Sequence, residues 1–225
     1  MTMDIGGVHG CGPDHFGLVT SDGEGAVIFA RHVSAIGNRQ SFGSYLPPRG
    51  FNGFSYADVA AELKLSKAAL HYHFASKADL GEALIARYSE HFGAALDALD
   101  AGAESARAKL EGYVTLYEGV LRDERMCLCG MLAAEHETLP AAMRDAVVAF
   151  FDFNEVWLSN VLEQGEREGD LQFADSAIVR ARILMGGLEG ALLVARPYGD
   201  VSRFQQIAMH LIRDLEAPPS TARSG

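Results

Sequence analysis

The chain has 225 residues, of which 48% are hydrophobic and 22% charged, and a formal net charge of −11 at pH 7. This composition excludes intrinsic disorder, argues against a general nucleic-acid binder, and suffices for one large or two small domains with a sizeable core. Three cysteines (Cys11, Cys127, Cys129) exclude a disulfide framework, and the lack of any run of about eighteen apolar residues or of a signal peptide leads to the expectation of a soluble, cytoplasmic protein.

Residues 1–37 hold eight of the 24 glycines and no sustained period beyond Ala26-Val27-Ile28-Phe29-Ala30. They are expected to form a poorly ordered arm, or to precede the native start; a basic arm reaching DNA would have only Arg31 for the task. Residues 38–49 should carry a first helix, with Phe42, Tyr45 and Leu46 at i, i+3 and i+4 and Pro47-Pro48 ending it.

From residue 54 to 84 the apolar positions fall in short helical blocks, each opened by a hydroxyl residue. Ser55 is the N-cap of the first, with Asp58 three residues on as a carboxylate version of the capping box. Ser66 opens the second, which contains Leu70 and Phe74, and Ser76 opens the third at Lys77-Ala78-Asp79. Two short helices joined by a tight turn, with a third close behind, outline a helix-turn-helix. Five basic and five acidic residues lie between positions 49 and 91, so the whole negative excess of the chain, which has 19 basic and 30 acidic residues, lies elsewhere. A locally balanced segment on an acidic body suits a protein that leaves DNA readily, and equally one that does not bind DNA.

The run Ser66-Lys67-Ala68-Ala69-Leu70-His71-Tyr72-His73-Phe74-Ala75-Ser76-Lys77, preceded by the glycine-aromatic junction Arg49-Gly50-Phe51-Asn52-Gly53-Phe54, resembles the DNA-binding segment of the tetracycline-repressor (TetR) family. Lys64 stands where that family usually has a turn glycine, and His71 replaces the usual tyrosine. The resemblance implies DNA contacts by Lys67, Ala69, His71, Tyr72, His73 and Lys77, with Ser55 and Tyr56 at the start of the preceding helix. In a helix-turn-helix the second helix enters the major groove, where Lys meets phosphate or guanine and Tyr and His donate to phosphate oxygens.

Beyond this segment, residues 77–99 read as a linker helix with Leu80, Leu84, Tyr88 and Phe92 in register. Residues 104–121 carry Leu110, Tyr113, Val114, Tyr117 and Val120 on one side, and a short helix is expected from Met126 to about Glu137. Three readings stand for Cys127 and Cys129. They are small buried hydrophobes, or thiols activated by a helix start to sense oxidants or electrophiles, or, with His136, part of a metal site. The second resembles redox- and electrophile-sensing branches of the family.

A long helix is expected from Pro140 to about Glu168, another over residues 175–195 and a last over residues 201–215, before a disordered tail at 217–225. The resemblance implies an effector cavity among these helices. Tyr113, Tyr117, Phe150, Phe153, Asn154 and Trp157 are its candidate lining, with His136 or Glu189 adding polarity; plain core packing is the competing reading. Gly186, Gly187 and Gly190, costly in a helix at roughly 1 kcal/mol each, point to close approach of another helix. A two-fold four-helix bundle formed by the last two helices would supply it, as would tight packing within one subunit.

The fold expected is therefore all-α. An N-terminal three-helix helix-turn-helix DNA-binding domain spans residues 38–84, and a C-terminal helical ligand-binding and dimerisation domain spans 100–216. The function implied is a ligand- or electrophile-responsive repressor that binds a pseudo-palindromic operator as a homodimer. The partners are operator DNA and the effector; no cofactor, metal or membrane is expected. The alternatives are a regulator-like scaffold without DNA binding and an enzyme. No catalytic residues are assigned, because the chain has no nucleophile motif, phosphate loop or HExxH, and Glu135-His136-Glu137 lacks partner ligands.

Overall fold

The computed structural model describes residues 50–63, 66–123 and 125–215, with the backbone only at Glu62 and Leu63. The expected arm, first helix, turn at Lys64 and tail lie outside the described residues. Within them there are eight α-helices, three 3-10 turns and no β-strand, which is the expected all-α class.

The first three helices start where the hydroxyl residues stand. Before α1 (Tyr56–Leu63), the Ser55 N–H donates to Asp58 Oδ2 at 2.7 Å and the Asp58 N–H returns to Ser55 Oγ at 3.3 Å. Ser66 Oγ accepts from the Ala69 N–H at 3.0 Å to open α2 (Lys67–His73). Ser76 and Asp79 form a full capping box at the head of α3 (Lys77–Gly102). Each cap answers N–H groups that a helix start leaves unpaired and stabilises by about 1 kcal/mol. Helix α3 is 26 residues long, about 39 Å, and runs three residues past the expected end.

Ser105 caps α4 (Ala106–Arg122) through the Ala108 N–H. The short helix after it, α5 (Leu128–Ala133), is briefer than its apolar pattern suggests. The chain tightens there into a 3-10 turn, His136–Thr138, with Thr138 Oγ1 donating to the Glu135 carbonyl at 2.8 Å. Helix α6 (Ala141–Glu168) follows Pro140, whose fixed φ of −54° suits the position before a first turn, and closes at Gly169 with φ +80°. Helices α7 (Ala177–Ala195) and α8 (Val201–Arg213) complete the chain.

Helix α6 packs against α3, α4 and α7, and α8 covers α7 and α4. Leu96, Leu110, Phe150, Leu158, Leu188 and Phe204 are almost wholly withdrawn from water in the core. Each such side chain contributes about 2 kcal/mol by burial. The glycines of α7 divide between two roles. A side chain at Gly187 would come within 2.6 Å of Leu211 on α8, so that glycine serves packing within the chain, whereas Gly186 and Gly190 face open space. Around those two glycines, Val179, Ile183, Leu193 and Val194 of α7 and Ile207 of α8 are left exposed. No helix of the described residues is long and apolar enough to cross a membrane.

Candidate nucleic-acid interface and effector cavity

Leu70, fully buried, fixes α2 against its neighbours, and half-buried Phe74 packs against the core. Elsewhere on α2, Lys67, His71 and Tyr72 are exposed, while Ala69 and His73 are half-buried. Tyr72, 60% exposed, meets the His73 ring edge-on at 5.2 Å. Lys67, His71 and Tyr72 belong to the exposed part of α2.

Three residues expected on DNA have other duties. The Tyr56 hydroxyl donates to the Phe74 carbonyl at 2.9 Å, and its ring stacks on His71 at 4.2 Å, so Tyr56 ties α1 to the end of α2. Ser55 Oγ donates to Asp58 and serves the cap. The Lys77 ammonium lies over the rings of Phe51 and Phe54, at 4.4 and 4.3 Å, where cation–π attraction holds it at the glycine-aromatic junction. Burial lowers the Lys77 pKa, and the nearby Glu135 and Asp58 carboxylates oppose that shift.

The aromatic residues expected to line a cavity are packed against one another instead. Tyr113 donates to Asn154 Oδ1 at 3.0 Å, and Asn154 returns its amide to the Phe150 carbonyl at 2.8 Å. Trp157 stacks on Tyr113 with centroids 5.6 Å apart and donates to Asp100 at 2.9 Å. Tyr113 and Asn154 have no exposure at all. This is a filled core with its polar atoms satisfied. Phe153 lies outside it, 44% exposed, because one step along α6 from Asn154 turns a side chain about 100°. Tyr117 reaches furthest toward the cavity described below, donating to Glu189 Oε1 at 3.1 Å.

Cys127 and Cys129 are buried, at 2% and 0% exposure. Cys127 stands at the head of α5, its Sγ accepting from the Gly130 N–H at 3.4 Å and from the Tyr88 hydroxyl of α3 at 3.5 Å. The expected lowering of the thiol pKa by the helix start is overcome here. Burial, then the Glu189 carboxylate, push both thiols up. Among the described residues no three His, Cys, Asp or Glu side chains are arranged to hold a metal, so Cys127, Cys129 and His136 do not converge.

A cavity of about 450 Å³ opens on the other side of α5. Met126, Met131, Phe151 and Leu193 give it an apolar wall, and Gly50, Glu135, Glu189 and Arg196 also line it. Its lining crosses from the C-terminal helices to the junction before α1. There Glu135 Oε2 accepts from Asn52 Nδ2 at 3.2 Å and from the Asn52 N–H at 3.3 Å, while Asn52 Nδ2 also reaches Thr138 Oγ1 at 2.7 Å. Gly50 adopts φ +73°, and a side chain there would collide with the Glu135 carboxylate. Of this set only Glu189 was a candidate from the sequence. The glycine-aromatic run signalled Gly50, but nothing in the order of residues joined it to Glu135.

Residues 48–84 match the family model described as bacterial regulatory proteins, tetR family. The chain is 26% identical to the transcriptional regulator AcuR of Cereibacter sphaeroides over 156 residues, 68% of this chain and 71% of that protein. Among solved structures, a TetR-family transcriptional regulator from Agrobacterium tumefaciens superposes with a TM-score of 0.74 at 33% identity, covering 77% of this chain and 93% of that one. The reduced form of NemR from E. coli shares the fold, with a TM-score of 0.70 at 24% identity over 84% of this chain and 98% of its own.

Proposed function

The chain belongs to the tetR family of bacterial regulatory proteins, which are transcriptional regulators and not enzymes, and we propose that it is a cytoplasmic repressor that binds a pseudo-palindromic operator as a homodimer and is released by an effector in the cavity beside α5. One observation carries the effector part of this reading. Glu135 lines the cavity and at the same time holds Asn52, two residues into the junction that precedes α1. A ligand that displaces the Glu135 carboxylate therefore acts directly on the DNA-binding part, and it favours whichever arrangement it binds more tightly. The exposure of Lys67, His71 and Tyr72 on α2 supports phosphate and base contact by that helix. The apolar stripe of Val179, Ile183, Leu193 and Val194 around Gly186 and Gly190, with Ile207, supports dimerisation through the last two helices.

Thiol sensing is the second reading, and Cys127 favours it by position: its sulfur bridges α5 and the Tyr88 hydroxyl of the linker helix α3. Modification there would part the two elements. The raised thiol pKa makes the resting protein slow to react, so reversible ligand binding stands first.

The test is a titration of the purified protein on its own upstream DNA at two salt concentrations, without and with a thiol-reactive electrophile. Sequence-selective binding that weakens with salt and survives the electrophile is expected. Absence of binding at low salt would replace the repressor by a scaffold. Loss of binding on treatment, abolished in a Cys127→Ser protein, would put the thiol first.

A further inference from the structure

We propose that the cavity takes an amphiphilic organic cation, an ammonium group on an apolar body, with Glu189 as the carboxylate that receives the charge. This rests on the reading of the cavity as the effector site.

The three charged residues of the cavity wall are not equivalent. Arg196 stands at the C-cap of α7, the negative end of that helix. Glu135 is held by two N–H groups of Asn52 and by the attraction of Lys77. Glu189 lies within α7, away from either end of the helix, and its neighbours are neutral donors, the Tyr117 hydroxyl and the Cys127 thiol. Among the described residues no Lys, Arg or His forms an ion pair with it. Gly130 leaves the space that the carboxylate occupies, since any side chain there would collide with Oε2.

Glu189 is thus the carboxylate of the wall without a cationic partner, in a place of low dielectric where a counter-charge gains most. Withdrawal from water raises its pKa, which agrees with a carboxylate short of a partner. An anionic ligand would add to the imbalance and a neutral one would leave it. The rest of the lining suits the body of such a cation. Met126, Met131, Phe151 and Leu193 present thioether, ring and aliphatic surface, and the first two kinds are polarisable toward a cation. A volume of about 450 Å³ falls within the range of sites for small organic ligands.

The experiment uses the full chain and three probes built on an eight-carbon chain, the carboxyl carbon included: octyltrimethylammonium, octan-1-ol and octanoate. Trp157, the one tryptophan, stacks on Tyr113 beside Tyr117, so its emission reports on the Glu189 neighbourhood, and calorimetry gives the Kd independently. The ammonium probe should bind at least tenfold more tightly than either of the others. Glu189→Gln should remove that advantage while octanol affinity changes less than twofold, with the thermal melt confirming a folded protein. The comparison of the three probes on the unaltered protein stands even if the variant fails to fold.

Equal or tighter binding of octanol or octanoate would overturn the proposal, as would an ammonium affinity unmoved by Glu189→Gln, or no binding of any probe. If octanoate or octanol binds and releases the upstream DNA, the effector-site reading survives and only the ligand class falls. DNA binding by the same preparation without probe reports on the repressor reading separately.

Discussion

Asn52 donates its backbone N–H and its side-chain amide to the same oxygen of Glu135, at 3.3 and 3.2 Å, across 83 residues of sequence. With Thr138 accepting from the same amide, this is a direct polar tie between the helix-turn-helix and the segment that follows α5. Glu135→Ala should loosen the junction, costing about 1 kcal/mol because the bonds are exposed. Hydrogen exchange at residues 51–54 should quicken, and DNA affinity should become less sensitive to effector. Unchanged exchange with full effector response would remove Glu135 from the coupling.

Lys67 is exposed at the first turn of the recognition helix. Its replacement by Ala should lower the slope of log K against log salt by about one and weaken operator binding, without altering the oligomeric state. An unchanged slope in a salt series would take Lys67 off the phosphate backbone.

Ile183 is 45% exposed in the middle of the apolar stripe of α7. Ile183→Glu should shift the protein toward monomer in analytical ultracentrifugation, and operator affinity should drop at least tenfold with the loss of the paired half-site. A dimer of unaltered stability would place the interface elsewhere.

The buried thiols and tyrosines set a pH dependence. Cys127, Cys129, Tyr88, Tyr113 and Tyr117 all have folded pKa values above their ordinary ones, burial being the main cause. Their contribution to stability is complete below the unfolded pKa values and is lost as pH rises above them. Stability should therefore decline above about pH 8.5, by about 1.4 kcal/mol per pH unit for each group that ionises only on unfolding. Urea midpoints from pH 7 to 10 measure this, and Cys127→Ser with Cys129→Ser should delay the decline toward the tyrosine range.

Glu189 follows the same sign in a lower pH range. Its raised pKa means that its contribution is present below the ordinary glutamate range and lost as pH rises, so ionisation costs stability at neutral pH. Glu189→Gln should raise the melting temperature at pH 7 and have a smaller effect near pH 4. A variant destabilised at pH 7 but not near pH 4 would show that the fold favours the ionised carboxylate.

The order of residues was enough to determine the helical class, the caps at Ser55, Ser66 and Ser76 and the outward face of α2, because each depends on neighbours within four positions. Helix periodicity also named the core: Leu80, Leu110, Tyr113 and Tyr117 are buried as their spacing implied. It could not say whether an aromatic stripe lines a cavity or fills one. That depends on α3, α4 and α6 meeting, and there Asn154 and Phe92 close the space around Tyr113. Nor could it weigh the thiols, since the helix start that lowers a thiol pKa is local and the burial that raises it is not. The cavity itself, walled by Gly50, Glu135 and Glu189 from distant parts of the chain, was decided by packing alone.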